Sequence, residues 1–302
     1  MKKNDSPAAR DGYARVMAAS TDRRARPDPV AASQPATASE PGILHPTLAA
    51  QRFDYRRHVP DERLAPFVEN IWTITWDLRG QEPFTAHVLP YPSVNASVTN
   101  EQADVTGLVR RRYDRHLAGQ GYVVGARFRP GCFRPWTKVS VSTFTDTGRP
   151  IADVLGRDTV ELQRAVADTC DRMERVALFT AYLIQDLPAP DPVANRLAQL
   201  VDEIAVRPDL TRVDQVATLA DVSVRRLQRL FVDYVGAGPK WVITRCRLQD
   251  AAVRAAADAA PDWASLAAEL GFADQAHLTR AFSQIVGTPP AAYAARARSG
   301  KA

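Results

Sequence analysis

The sequence has few cysteines and no long apolar run. Its three cysteines, Cys132, Cys170 and Cys246, lie far apart, with no Cys-x-x-Cys pair and no histidine at ligand spacing. This pattern predicts neither a disulfide framework nor a zinc site, and it is typical of a reducing compartment. No segment approaches the roughly 18 apolar residues of a membrane-spanning helix, and the N-terminus lacks the apolar core of a signal peptide. We therefore expect a cytoplasmic protein with no metal, no cofactor and no membrane partner.

Common catalytic motifs are missing as well. The sequence contains no Gly-x-Ser-x-Gly elbow and no His-Glu-x-x-His, the signatures of two large hydrolase classes. Gly119-x-Gly121-x-x-x-Gly125 has the wrong spacing for a dinucleotide fingerprint, and a predicted strand follows it instead of preceding it, so a β-turn is the better interpretation. Cys132 lacks the ligand cluster of a metal-activated methyl acceptor. We predict no catalytic residues; an enzyme in the N-terminal half, fused to a DNA-binding domain, is the second hypothesis.

Length and charge indicate the class of protein. The chain has 302 residues, 45% of them hydrophobic, and a formal net charge of +5, which is enough for two globular domains and suits an anionic partner. Residues 1–42 are rich in Ala, Pro, Ser, Asp and Arg and poor in large apolar side chains. Such a segment cannot bury enough apolar surface to offset the entropy of ordering it, so a disordered tail is predicted.

Residues 43–187 predict a β-rich domain that ends in helices. Between residues 71 and 76, Trp72, Ile74 and Trp76 fall on one side and Thr73 and Thr75 on the other, the period expected of a half-buried strand. Short segments of this kind, separated by proline and glycine, are typical of a β-rich domain. Further extended segments are Val94–Thr99 and Tyr122–Phe128.

A helical pattern follows Pro150. Five apolar residues recur at spacings of three and four and form one stripe, which we interpret as core rather than as a dimer seam. They are Met173, Val176, Phe179, Leu183 and Leu187. The chain then contains three prolines between Leu187 and Val193, and because proline cannot continue a helix, this segment is the predicted domain boundary.

Six residues of the N-terminal domain are candidates for a ligand pocket, because such pockets combine aromatic walls with a few polar groups. Core packing and ion pairs at strand ends account for the same residues at least as well. Saturable small-molecule binding without turnover would indicate a sensor rather than an enzyme. If neither binding nor turnover is found, a dimerisation module is favoured. The candidates are Trp72, Trp76, His87, Tyr91, Arg127 and Arg129.

Two C-terminal segments resemble each other at an offset of about fifty residues, which predicts a duplicated structural unit. They read VATLADVSVRRLQRLF and LAAELGFADQAHLTRAF. In a helix-turn-helix unit a small residue lets the helices cross closely, and the turn needs a residue that tolerates positive φ. Ala217 and Ala267 suit the first role. Gly271 suits the second, and Asp221 must tolerate the same conformation, as aspartate sometimes does.

The second helix of each unit has an apolar and a polar face. The inner residues are Val224, Leu227, Leu230 and Phe231 in the first unit and Leu278, Ala281 and Phe282 in the second. Ser223 and Asp274 are placed to cap these helices at their N-termini. The outward side chains suit base edges or phosphates. The candidate DNA contacts are Arg225, Arg226, Gln228 and Arg229 in the first unit and Gln275, Ala276, Thr279, Arg280 and Ser283 in the second.

Local charge supports a nucleic-acid surface at the first unit. Between Val224 and Arg247 there are six basic residues and one acidic residue, a net charge of +5. An arginine-rich stripe alone is also common on the solvated face of an ordinary helix, but two copies of the same unit argue against that interpretation.

These residues resemble the AraC/XylS family of bacterial transcription regulators over about residues 193–298. The most diagnostic segment is AAELGFADQAHLTRAF, followed by Gly287-Thr288-Pro289-Pro290 and Tyr293. The sequence departs from the family at Asp221, where glycine is usual, at Trp241, where tyrosine is usual, and at Ala294, where arginine is common. None of these departures removes a groove-facing residue, so the resemblance implies DNA binding.

The resemblance also implies an architecture. A linking helix, here Lys240–Ala257, would hold both units so that the two recognition helices meet one face of DNA in adjacent major grooves, ~34 Å apart. The expected fold class is α+β, with a β-rich N-terminal domain followed by helices and then an all-α C-terminal domain of two helix-turn-helix units. The N-terminal motifs resemble an uncharacterised regulatory domain of the family. They are Pro66-x-Val68-x-x-x-Trp72, Val88-Leu89-Pro90 and Val124–Gly131.

The implied function is sequence-specific transcription regulation without catalysis. The implied partner is double-stranded operator or promoter DNA, bound at the bacterial nucleoid. RNA polymerase, a small-molecule effector and a second copy of the chain are further candidate partners, because the N-terminal domain of family members senses a small molecule or mediates dimerisation. The residues identify no particular ligand.

Overall fold

The computed structural model describes residues 33–35, 49–257 and 261–299. Strands come first and helices follow, which confirms the α+β fold class. The strands are β1 (Ser33–Pro35), β2 (Asp54–His58), β3 (Val68–Asp77), β4 (Phe84–Val88), β5 (Asn95–Thr99), β6 (Ala103–Thr106), β7 (Tyr113–Leu117), β8 (Gln120–Phe128) and β9 (Gly148–Pro150). Two 3₁₀ turns, Arg134–Trp136 and Val141–Phe144, lie between β8 and β9.

The helices of the described residues fall into two groups. The N-terminal group is α1 (Ile151–Leu155), α2 (Val160–Asp168) and α3 (Arg172–Ile184). The C-terminal group is α4 (Pro192–Val206), α5 (Val213–Leu219), α6 (Val224–Tyr234), α7 (Pro239–Ala257), α8 (Trp263–Glu269), α9 (Gln275–Val286) and α10 (Pro290–Ser299).

The N-terminal domain is built on a seven-stranded antiparallel sheet in the order β1-β2-β3-β8-β5-β6-β9, with β4 and β7 paired separately. The three extended segments expected from the sequence lie in β3, β5 and β8. One face of the sheet packs against α1 to α3 through residues such as Ile71, Val124 and Phe179. The tryptophans of β3 are on the other face, where they pack with Phe53 and Leu117. Both faces of the central strands are therefore covered, and β3 is more enclosed than a half-buried strand.

The tryptophans explain two of the three glycines in the 119–125 motif. Gly121 and Gly125 lie in β8 directly opposite Trp76 and Trp72, and a Cβ atom at either glycine would lie within 2.5 Å of an indole carbon. Gly119, with φ of +58°, makes the chain reversal between β7 and β8. The interpretation of the whole motif as a β-turn is wrong for Gly121 and Gly125, because their missing side chains make room for the indole rings.

The strand β1 falls within the range predicted as a disordered tail. It pairs antiparallel with β2, placing Ser33 opposite His58 and Pro35 opposite Arg56. The outer side of an edge strand has N–H and C=O groups that pair with no further strand. Proline, which has no N–H to donate, is therefore tolerated in such a strand. The rest of the range 1–42 lies outside the described residues.

The apolar stripe after Pro150 is core. Val176, Phe179 and Leu183 of α3 are buried against the sheet, and Asp171 caps the helix by accepting a hydrogen bond from the Glu174 N–H at 2.9 Å. Leu187 lies beyond the end of α3 but still packs against the same cluster. The interpretation of the stripe as core is thus confirmed.

The helix after the proline segment joins the two halves of the chain. Asp191 caps α4, its side chain accepting from the Val193 N–H at 2.8 Å, and Pro192 occupies the first helical turn, where its missing N–H has no intrahelical partner. One side of α4 packs into the N-terminal core through Ala194 and Ala198. Its other residues pack into the first C-terminal core, so the segment that follows the predicted boundary belongs to both cores.

The C-terminal domain has two apolar cores joined by α7. Val242 and Ile243, near the start of α7, pack in the core of the first helix-turn-helix unit. Leu248 and Ala252, further along, pack in the core of the second. The linking helix predicted over residues 240–257 is confirmed, and it supplies packing residues to both units.

Candidate nucleic-acid interface

The two helix-turn-helix units make the same turn. Asp221 and Gly271 both adopt positive φ, +53° and +68°. In each unit the next residue donates its N–H back to the carbonyl of the buried alanine of the first helix, at 3.1 Å for Ala217 and 2.8 Å for Ala267. These bonds satisfy carbonyls left free at a helix end. The predicted roles of the alanines and of the turn residues are confirmed.

Both recognition helices are capped as expected. The Ser223 hydroxyl accepts from the Arg226 N–H at 3.3 Å, and an Asp274 carboxylate oxygen accepts from the His277 N–H at 2.6 Å. The His277 ring packs edge-on against Phe272, with 5.3 Å between ring centroids. The cap and this ring contact fix the direction in which α9 leaves its turn.

The outward face of α6 is basic and open to solvent. Arg225, Arg226, Gln228 and Arg229 are all exposed, and Leu227 and Phe231 are buried behind them. Leu230 is half-buried. Val224, expected on the inner face, is exposed; as the first helical residue it lies at the end of the apolar stripe, outside the core.

The matching face of α9 carries fewer charges. Gln275, Ala276 and Arg280 are exposed, and Thr279 and Ser283 are half-buried. Leu278 and Phe282 are buried against α7 and α8, as predicted, and Ala281 is half-buried. The two recognition helices thus present unlike polar surfaces, basic in the first unit and largely neutral in the second.

An open cleft of about 750 Å³ runs along α6. One wall is the recognition helix and the other includes Ser140, which belongs to the N-terminal domain. The cleft is lined by Ser140, Arg225, Gln228, Arg229, Leu230, Val232 and Asp233. Arg134 of the same N-terminal segment bonds to Asp233 at 3.2 Å. The N-terminal domain therefore lies directly beside the first recognition helix.

Not all the basic residues near α6 face solvent. Arg245 is buried and donates from Nε to the Pro90 carbonyl at 2.7 Å, and Arg247 is half-buried. Only four of the six cations between Val224 and Arg247 are exposed: Arg225, Arg226, Arg229 and Lys240. The local charge of +5 therefore overstates the positive charge that is exposed to DNA on this surface, because Arg245 is buried against the N-terminal domain.

The structure places the six candidate ligand residues on several elements of the N-terminal domain. Tyr91 lies between two guanidinium groups, 5.1 Å from Arg127 and 5.0 Å from Arg245. Arg127 is two residues from Gly125 on β8, so it shares a sheet face with Trp72. Trp76 lies further along that face, and its indole N–H donates to the Ala118 carbonyl at 3.1 Å.

The other two candidates lie elsewhere. His87 is on β4, on the side opposite Ala86, and its Nδ1 is 2.8 Å from an Asp114 carboxylate oxygen. Arg129 follows β8, and its positive charge acts on the carboxylates of Glu69 and Asp202. Sequence reasoning missed Glu69, Arg57 and Arg245, whose charges act on the same region. Glu69 and Arg57 lie within strands and Arg245 lies within α7, and a single charged residue in a strand or helix gives no signal of its own.

Two features of the described residues bear on chemistry. No group of three or more His, Cys, Asp or Glu side chains in this part of the chain is arranged to hold a metal ion. No helix among the described residues is long and apolar enough to cross a membrane.

Two family models match the sequence. Residues 56–150 match a domain of unknown function (DUF6597), and residues 216–296 match a helix-turn-helix domain. No curated protein matches the chain significantly. The helix-turn-helix match spans the two units described above, and the other match covers most of the seven-stranded sheet.

Solved structures with some likeness to this chain include those of two bacterial proteins. The C-terminal domain of AraT, a response regulator from Geobacillus stearothermophilus, is 22% identical over 35% of this chain and 85% of that chain, with a TM-score of 0.31. An apo variant of ToxT from Vibrio cholerae is 10% identical over 74% of this chain and 96% of that chain, with a TM-score of 0.37. ToxT from strain O395 is 10% identical over 70% and 92%, with a TM-score of 0.34.

Proposed function

We propose, from the premise that this chain is a DNA-binding transcription regulator with an AraC-type helix-turn-helix domain, that its recognition helices α6 and α9 read adjacent major grooves on one face of DNA. The supporting observation is the duplication itself. Two units with the same turn and the same kind of cap present exposed polar helix faces, and the single helix α7 holds both. Two helix-turn-helix units in one chain suit two major grooves that lie one helical turn of DNA apart.

The chemistry of the two faces assigns their roles. Arginine can form a bidentate contact with guanine, and glutamine can form one with adenine, so Arg225, Gln228 and Arg229 are proposed to read bases from α6. In the second unit Gln275 and Arg280 are proposed to do the same. Arg226 on α6 and Lys240 at the start of α7 are both exposed and are proposed to hold phosphates, which position the protein without specifying sequence.

We propose further that the N-terminal domain senses a small molecule on the sheet face that carries Trp72 and Arg127. Trp72 Nε1 and Arg127 Nε are buried and have no hydrogen-bond partner among the described residues. Buried donors are normally paired, so two on one face favour a ligand with acceptor oxygens. Nearby, burial raises the pKa of Tyr91 to about 12, so Tyr91 stays a neutral wall of this region.

Arg127→Met tests the sensor proposal. A screen of small carboxylic acids by thermal unfolding is expected to find a compound that raises the Tm of the full chain, since a ligand at 100 times its Kd adds about 2.7 kcal/mol of stability. The Arg127→Met variant should lose this shift, and Arg79→Met, an exposed arginine paired only with Asp77, should keep it. Equal shifts in both variants would contradict this site. If no compound raises the Tm of the wild-type chain and the chain sediments as a dimer, the N-terminal domain is better interpreted as a dimerisation module.

Footprinting tests the DNA-binding proposal. The full chain, with DNA from upstream of its own gene and of neighbouring genes, is expected to protect two adjacent major grooves on one face. Because phosphate contacts release counterions, six of them would lower the affinity about 1,000-fold between 50 and 200 mM salt. Protection of a single groove would contradict the two-unit proposal. Binding that is salt-sensitive but blind to sequence would place the operator elsewhere or require an effector.

The site of action follows from the same proposal. A protein that reads chromosomal DNA works in the bacterial cytoplasm, bound at the nucleoid, and at a promoter its partner would be RNA polymerase. Nothing in the arrangement of α6 and α9 calls for a catalytic residue.

A further inference from the structure

A leucine of the N-terminal domain enters the core of the first helix-turn-helix unit. Leu108 follows β6 and is fully buried, packed in the cluster that contains Val216, Leu227 and Phe231. These residues hold the recognition helix α6 against the rest of its unit. Leu108 is therefore part of the core that positions α6.

A second leucine does the same in the second unit. Leu89 follows β4 and lies in the cluster that contains Leu266, Leu278 and Phe282. Beside it, Arg245 of α7 donates to the Pro90 carbonyl at 2.7 Å. One apolar anchor from the N-terminal domain thus enters each of the two units.

The C-terminal ends of the recognition helices meet the same domain. The Thr145 hydroxyl donates to the Gly236 carbonyl, just after α6, at 2.8 Å. At the matching position after α9, a Cβ atom on Gly287 would lie 2.9 Å from a guanidinium nitrogen of Arg112. Both glycines have positive φ, +91° and +84°, so equivalent points of the repeat lie against the N-terminal domain.

The two N-terminal segments that make these contacts are joined to each other. The Gly107 N–H donates to the Thr147 carbonyl at 3.2 Å. The Arg110 N–H and side chain both donate to Asp146, at 2.7 and 2.6 Å. We call residues 107–112 and 140–147 together the ledge. Through Leu108 the ledge reaches the first unit, and through Arg112 it reaches the second.

We infer that the N-terminal domain fixes the spacing of the two recognition helices, and that Leu89, Leu108 and the ledge are positioning residues that make the protein select one distance between its half-sites. This rests on the proposed function. Within the described residues, the chain passes from the first unit toward the second along α7, and long helices bend. Anchors at both units remove that freedom, because each packed leucine would have to leave a core before its unit could shift.

Operators with altered spacing test this inference in the full chain. The DNA carries both half-sites at the footprinted distance or with two base pairs inserted, and a third duplex carries one half-site. Wild-type protein should prefer the original spacing, and in Leu89→Ala that preference should fall about tenfold or more, within the usual range of coupling between sites. Binding to a duplex that carries only the half-site of α6 should be unchanged, because Leu89 packs in the core of the second unit and not of the first. Leu89→Met, which keeps an apolar anchor, should restore the preference.

Two further variants keep the result interpretable. Leu78→Ala creates a matched cavity in the N-terminal domain away from both units and should retain the wild-type spacing preference. If Leu89→Ala fails to fold by circular dichroism, the pair Thr145→Val and Arg110→Ala replaces it, since it removes ledge contacts and leaves every core intact. A spacing preference equal to wild type in folded variants would overturn the inference. Failure of wild type to bind any half-site would instead overturn the proposed function.

Discussion

Replacing both Arg229 and Arg280 by alanine is expected to lower operator affinity by at least about 30-fold, because each loss of a bidentate base contact costs about 1–3 kcal/mol. The two residues lie on different recognition helices, α6 and α9, and both are exposed. Since they share no partner, their effects should add. Neither side chain supports a core, so the thermal unfolding temperature should not change. Fluorescence anisotropy on the footprinted operator measures the affinity.

A matched control separates base reading from loss of charge. Arg207→Ala removes a cation from the same domain, but Arg207 pairs with Asp209 at 2.8 Å and lies outside both units. Its operator affinity should stay within about twofold of wild type, as expected for an exposed ion pair. If Arg229→Ala and Arg280→Ala each bind as tightly as Arg207→Ala, the outward faces of α6 and α9 are not the groove-facing surfaces.

The helix-turn-helix repeat could be predicted from sequence because its signals are local. A cap, a small residue, a turn residue and an apolar stripe all lie within about twenty residues of one another, and each constrains the same backbone. Asp221 illustrates this. Its position in the repeat required positive φ even though the residue is not glycine, and the observed φ of +53° agrees.

The contacts between the two halves of the chain could not be predicted in this way. Leu89 and Leu108 are ordinary leucines near the ends of strands, and nothing in their neighbourhood indicates that they pack in the cores of other units. Arg245 contributes a positive charge to the sequence near α6, yet it is buried against Pro90. Long-range packing decides these positions, whereas composition and periodicity report only the local chain.

The positions of the candidate ligand residues in the fold could be predicted only in part, for the same reason. The alternation in β3 correctly placed Trp72 and Trp76 on one face, because strand geometry alone decides it. It could not place His87, whose strand β4 pairs with β7 outside the main sheet. Nor could it bring Tyr91 to Arg127, since that contact depends on the path of the loop before β5.

Gly107→Ala is expected to lower the stability of the full chain by about 3 kcal/mol, the upper part of the usual range for overpacking. A Cβ atom at Gly107 would lie 2.0 Å from the Phe144 carbonyl oxygen, and because that oxygen is backbone, the two segments of the ledge would have to move apart. Calorimetry should show a fall in Tm of roughly 10 °C for a domain of this size.

Gly148→Ala is the matched control for this substitution. Gly148 lies in the neighbouring strand β9, and a Cβ atom there would lie 4.0 Å from the nearest atom, the Val105 carbonyl oxygen. The control should therefore unfold close to the wild-type temperature. The Gly107→Ala variant should in addition lose its preference for one half-site spacing at temperatures where it is still folded, because Leu108 and Arg112 leave their units when the ledge opens. If Gly107→Ala is as stable as Gly148→Ala, the two segments of the ledge can move apart without a loss of stability. The ledge then cannot hold the recognition helices at one distance.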